Sequence, residues 1–108
     1  MARILVVDDQ ELMRDSLAAN LAREGHEVVA THDGTVAVTR LEGATRFDLL
    51  ITDLKMPRMT GIELLAEATR LRPDMPVVLM TAFATVDTAH LLRLTSEVDR
   101  FLAGVRAA

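Results

Sequence analysis

The hydrophobic positions of the chain fall in short solid runs separated by amphipathic stretches. Ile4-Leu5-Val6-Val7 is a continuous aliphatic run that stops at Asp8-Asp9, the pattern of a strand buried on both faces. Over 11–24 the period changes: Met13, Leu17 and Leu21 recur at helical spacing, Leu12 and Ala18 widen the stripe, and Gly25 supplies a stop. Val28-Val29-Ala30 reads as a second strand, followed by the turn pair Asp33-Gly34, and 35–41 as a short helix ending near Gly43. Phe47-Asp48-Leu49-Leu50-Ile51-Thr52 is a third strand and ends, like the first, on an acid, Asp53. Pro57 and Gly61 make 55–61 a loop, and Ile62, Leu65, Ala66 and Thr69 mark one face of a helix running to Leu71. Pro73 and Pro76 bracket a turn before a fourth buried strand, Val77-Val78-Leu79-Met80, which ends at Thr81-Ala82.

Strand and helix alternate throughout, which predicts an α/β fold: a flavodoxin-like, doubly wound parallel sheet with right-handed crossovers. At 108 residues the chain supports one domain, with 1–84 as its core and 85–108 as a helical segment of less regular type. Half of the residues are hydrophobic and 26% are charged, so disorder is excluded. The absence of cysteine rules out disulfides, thiolate metal sites and thiol catalysis. No apolar run reaches the roughly 18 residues of a membrane span, and the first residues lack signal-peptide architecture, so a cytoplasmic protein without membrane contact is expected. A net charge of −4, no basic stripe and only three aromatic residues argue against direct nucleic-acid binding.

In such a sheet every strand points the same way, and ligands bind at the carboxyl edge. Asp8 and Asp9 follow the first strand, Asp53 the third, and Thr81 holds the matching place on the fourth. Taken singly, an Asp pair before a helix reads as a cap, and a strand-terminal Asp or Thr as a turn former. Together, with the first and third strands adjacent, the acids converge. Like charges at that distance repel; a hard divalent cation removes the conflict, and oxygen ligands select Mg²⁺. A carboxylate acceptor beside such an ion points to phosphoryl chemistry, with Thr81 placed to hydrogen-bond a phosphoryl oxygen. Gly61 would let the loop after Asp53 turn tightly beneath the site.

Val6-Val7-Asp8-Asp9, Leu50-Ile51-Thr52-Asp53-Leu54-Lys55-Met56-Pro57, Met59-Thr60-Gly61 and Leu79-Met80-Thr81-Ala82 together resemble the receiver domain of bacterial two-component response regulators. The stretch from Thr81 to Ala89 is similar to receivers of the nitrogen-regulation type, and the likeness spans residues 3–89. It implies a domain that takes a phosphoryl group from a histidine kinase or phosphotransfer protein onto Asp53, with Thr81 as the switch hydroxyl. It also implies Mg²⁺ held by Asp9 directly, Asp8 largely through water, Asp53, and the backbone carbonyl of Lys55. Such a domain modifies itself rather than turning over a substrate and is not an enzyme beyond self-phosphorylation and self-dephosphorylation.

The C-terminal part departs from that pattern. Receivers carry a lysine at the end of a fifth strand, whereas Lys55 is the only lysine here. Arg58 and Arg93 are expected near the site rim, but neither is identified as its substitute. One alignment makes Phe101-Leu102-Ala103 the fifth strand; another makes Ser96-Glu97-Val98-Asp99 a capping box that opens the last helix, with the strand deleted. With no glycine or proline over 84–103, the favoured expectation is one helix from Val86 to near the C-terminus, its seam formed by Leu91, Leu94, Val98, Phe101 and Val105. That seam could pack on the sheet or pair two copies into a homodimer. His26, His32 and His90 show no ligand spacing and read as surface residues. The rival function is a receiver-derived dimerisation or interaction module that works without phosphorylation; an aspartate-nucleophile phosphatase fits less well, since neither Asp8 nor Asp53 has an acid two positions on.

Overall fold

In a computed structural model of the chain, residues 1–80 and the backbone of 88–107 are described, with the side chains of 95–104 in that last stretch. The elements run β1 (Arg3–Val7), α1 (Glu11–Arg23), β2 (Glu27–Thr31), α2 (Gly34–Glu42), β3 (Leu49–Asp53), α3 (Gly61–Leu71), β4 (Val77–Met80) and α4 (Thr88–Ala107). The four described strands form one parallel sheet in the order β2-β1-β3-β4. This is the expected flavodoxin-like arrangement.

Side chains alternate across a strand, and the solid apolar runs serve two cores at once. Ile4, Val6, Leu49 and Ile51 face α1 and α4, meeting Met13, Leu17, Leu21, Val98 and Leu102. Leu5, Val7 and Leu50 face α2 and α3, meeting Ala37, Leu41, Leu64 and Ala68. Burying each of these large side chains contributes roughly 1.5–3 kcal/mol, so the central strands β1 and β3 are the most firmly held part of the molecule.

Several expectations are corrected at the edges. Leu12 is 68% exposed, because Met13, Leu17 and Leu21 already define the inner stripe of α1 and Leu12 lies about 100° away from it. On α3 the inner face is Gly61, Leu64 and Ala68, whereas Ile62, Ala66 and Thr69 are exposed and Leu65 is half-buried. The phase is set by Thr60, whose hydroxyl accepts from the Glu63 N–H at 3.2 Å while the Glu63 carboxylate accepts from the Thr60 N–H at 3.0 Å. The fourth strand is buried only at Met80, with Val77 and Val78 half-buried and Leu79 exposed, as befits the outer strand among the described residues.

Residues 96–103 are helical, which removes both the fifth strand at Phe101-Leu102-Ala103 and the helix start at Ser96. The inner face of α4 is Thr95, Val98 and Leu102, with Phe101 exposed; Leu91, Leu94 and Val105 lie outside the described side chains, and Val86 outside the described residues. His26 is the other correction. Its ring is almost wholly covered, accepts from the Ala2 N–H at Nδ1 (3.1 Å), and presents Nε2 to the Asp99 carboxylate. It ties α4 to the start of β1. His32 is exposed as expected, and His90 lies outside the described side chains.

Candidate metal centre

Parallel pairing of β1 with β3, with Val7 opposite Thr52, delivers Asp8 and Asp53 to one rim of the sheet. Each of Asp8, Asp9 and Asp53 offers a carboxylate oxygen, and these oxygens lie within 4.8 Å of one another. Asp8 and Asp53 are buried and Asp9 is exposed.

The electrostatics of the rim are unbalanced. Burial pushes the Asp8 carboxyl up to about 6, and the neighbouring Asp53 and Asp9 charges push the same way. Only a hydrogen bond from the Gln10 N–H (2.9 Å) and the Arg14 guanidinium oppose them. Asp53 is also raised, first by burial and then by the Asp9 charge, against the backbone N–H groups of Lys55 and Leu54 and a bond with Asp8. Its Oδ1 is buried with no hydrogen-bond partner. A buried, unpartnered acceptor among three carboxylates is the donor set that a small, hard cation satisfies, and Mg²⁺ fits it.

The loop that follows Asp53 is fixed at both ends. Leu54 N–H donates to Met80 O (3.0 Å) and Gly61 N–H to Leu54 O (2.9 Å). A Cβ on Gly61 would stand 2.2 Å from the Asp53 carbonyl oxygen, so only glycine permits this return of the chain. Lys55, two residues beyond Asp53, is exposed, while Met56 drops into the core below α3.

The structure therefore brings Asp8, Asp9 and Asp53 together and carries Lys55 in the adjoining loop. Thr81 lies outside the described residues; the preceding Met80 pairs with Asp53. Sequence reasoning missed a second feature of this rim. Asp33 caps α2, its Oδ1 accepting from Thr35 N–H (2.6 Å), Val36 N–H (3.3 Å) and the Thr35 hydroxyl, while its Oδ2 meets Arg58 Nη2 at 2.6 Å. The Asp33-Gly34 turn signal contains the cap, and Arg58 is expected near the rim; its pairing with Asp33 is not visible in the sequence.

The sequence model described as "Response regulator receiver domain" matches residues 4–103. The receiver protein CpdR of Brucella abortus is 41% identical over 86 residues, which is 80% of this chain and 71% of CpdR. MprA of Mycobacterium avium is 38% identical over 100 residues, 93% of this chain but 43% of MprA, so the chain spans less than half of that relative. Among solved structures, TrrA of Thermotoga maritima in complex with Mg²⁺ and BeF is 28% identical with a TM-score of 0.79, covering 93% of this chain and 98% of TrrA. TrrA has also been solved with the histidine kinase ThkA; there the likeness is 32% identity and a TM-score of 0.69, over 82% of this chain and 77% of that one. On sequence and fold alike, this chain belongs to the response regulator receiver domains of two-component systems.

Proposed function

We propose that the chain is a phosphoacceptor working in the cytoplasm, in which Asp53 receives a phosphoryl group from the phosphohistidine of a histidine kinase or phosphotransfer protein. A carboxylate oxygen of Asp53 forms the new P–O bond, the P–N bond breaks, and the freed imidazole takes up a proton. Asp8, Asp9, Asp53 and the Lys55 carbonyl would hold Mg²⁺, which supplies charge neutralisation for the transferred group. Thr81 would be the switch hydroxyl. The product carries roughly one further negative charge at the rim, enough to re-bias the loops that surround it. The similarity to nitrogen-regulation receivers over 81–89 and the atypical character of the segment after 84 belong to this reading too.

The observation that carries the proposal is the buried, unpartnered Oδ1 of Asp53 beside two further acids. It favours phosphoacceptance over a phosphorylation-independent interaction module, which has no use for an unsatisfied buried acceptor. A homodimer through α4 would have to use its outer face, where Phe101 is 41% exposed, because Val98 and Leu102 already serve the chain's own core.

The test is a Mg²⁺ titration in the presence of a beryllium fluoride complex, comparing the native chain with Asp53→Asn. Saturable binding by the native chain that disappears in the variant is the expected result. Binding that survives the substitution, or its absence from the native chain, would overturn the assignment and favour the interaction module.

A further inference from the structure

Arg58 holds the one positive φ of any non-glycine among the described residues, +68°. The Met59 N–H donates to Pro57 O at 2.8 Å across it. A bond from residue i+2 back to residue i over a centre at positive φ is the tight γ-turn, a rare and strained conformation for an L-residue. Such a conformation persists only where its surroundings over-determine it. Two contacts do so here, and both run to the start of α2. The Arg58 guanidinium reaches the Asp33 carboxylate at 2.6 Å, and Met59 packs so closely on Gly34 that a Cβ there would meet its sulfur at 2.9 Å.

We propose that Asp33 and Arg58 form a latch that positions the loop after Asp53 for the metal and the phosphoryl group. This inference rests on the phosphoacceptor reading and assigns that site two residues outside its ligand set. The loop is short and closed at both ends. Gly61 pins its far end against the Asp53 carbonyl, and the latch pins its tip, so Leu54 and Lys55 between them have little freedom. Leu54 is held by Met80 O and the Gly61 N–H, whereas Lys55 is held only through the loop; its N–H acts on the Asp53 carboxylate, and it would supply the metal-facing carbonyl. Shifting the tip would turn the Lys55 peptide group away from the site. The anchor itself is firm: Asp33 is nearly enclosed, and its other oxygen is engaged by the first turn of α2. Arg58 is two-thirds exposed, and an ion pair with so exposed a partner contributes little to global stability. Its effect is therefore on loop geometry.

The test uses Arg58→Ala, Arg58→Lys, Asp33→Asn and the double variant Arg58→Ala/Asp33→Asn in the full chain. Asparagine caps helices as well as aspartate does, so Asp33→Asn removes the charge and leaves the start of α2 intact. Metal-free amide exchange at Lys55 is expected to quicken several-fold in Arg58→Ala, with the unfolding midpoint little changed. Mg²⁺ alone should bind Arg58→Ala about 3- to 10-fold more weakly, Arg58→Lys should recover most of the loss, and the double variant should be no weaker than Arg58→Ala. Native-like Mg²⁺ affinity and exchange in Arg58→Ala, or additive losses in the double variant, would overturn the latch alone. Failure of the native chain to bind Mg²⁺ would instead sink the phosphoacceptor reading, and the latch's metal-positioning role with it.

Discussion

Asp8 and Asp33 sit at the same rim of the sheet, just past β1 and β2, and both carboxylates are nearly shielded from solvent. They ionise in opposite directions. Asp33 is held well below the usual carboxylate range, first by the Thr35 hydroxyl and then by Arg58, with backbone N–H groups from Thr35 and Val36 in support. Asp8 has one backbone donor and a guanidinium set against burial and two acids, and is pushed up to about 6. Burial is common to both, so burial does not mark the functional group. What distinguishes Asp8 is the positive charge its surroundings fail to supply. A buried acid left short of positive charge beside one so fully matched supports the proposed role of Asp8 as a ligand for a cation.

The harshest way to break the contrast is Gly61→Ala. The new methyl would fall 2.2 Å from the Asp53 carbonyl oxygen and 2.9 Å from the Leu54 Cα, both backbone atoms, so β3 or the start of α3 must move. We expect a loss of about 3 kcal/mol in urea unfolding, together with loss of Mg²⁺ binding, because the displaced segment carries Asp53. A variant that kept both would show that the loop has slack the close contact does not suggest.

A gentler intervention exploits the sign of the two shifts. The Asp8 carboxyl is at about 6 in the fold against 3.8 as the ordinary value. Between those pH values the folded chain holds more protons than the unfolded chain, so this group makes stability fall as pH rises from about 4 to about 6. Asp53, raised in the same direction, adds to the slope. Asp33 does the reverse: its contribution is present above about pH 4 and is lost as pH falls below that. In metal-free buffer Asp8→Asn should therefore flatten the decline and be more stable than the native chain at pH 7, by on the order of 1–2 kcal/mol after allowance for partial solvation. With Mg²⁺ present the order should reverse, since the native chain gains binding free energy that the variant cannot. Parallel stability–pH curves without metal would contradict the raised Asp8 carboxyl.

These contrasts were only partly visible in the sequence. Solid apolar runs that end on acids gave β1, β3 and the convergence of Asp8, Asp9 and Asp53, because a parallel sheet leaves little choice about where strand ends go. The uninterrupted stretch over 84–103 likewise gave a long last helix. Faces were harder. Leu64 and Leu65 are adjacent, as are Phe101 and Leu102, and periodicity alone does not choose between members of such a pair; the Thr60 cap with the Gly61 approach, and the docking of α4 beside α1, decide. The pairs Arg58–Asp33 and His26–Asp99 span 25 and 73 residues, and no local pattern announces a partner that only the tertiary structure supplies. A buried histidine and a surface one look alike until His26 is seen to meet Asp99 of the last helix.

The smallest effect on the fold belongs to Asp9, and it gives the sharpest separation of the two kinds of acid. Asp9 is exposed, and its charge is a lesser cause of the raised Asp8 and Asp53 carboxyls. Removing that charge relieves a little repulsion and breaks no described hydrogen bond, so Asp9→Asn should change metal-free stability by less than about 0.5 kcal/mol. Mg²⁺ affinity should nevertheless fall about tenfold or more, because one of three converging carboxylates has become a neutral amide. Calorimetric titration paired with urea unfolding on the same preparations reads both quantities. If unfolding shifted while Mg²⁺ affinity held, Asp9 would belong with Asp33 among the residues that serve the fold, and the cation would have to be held by Asp8 and Asp53 without it.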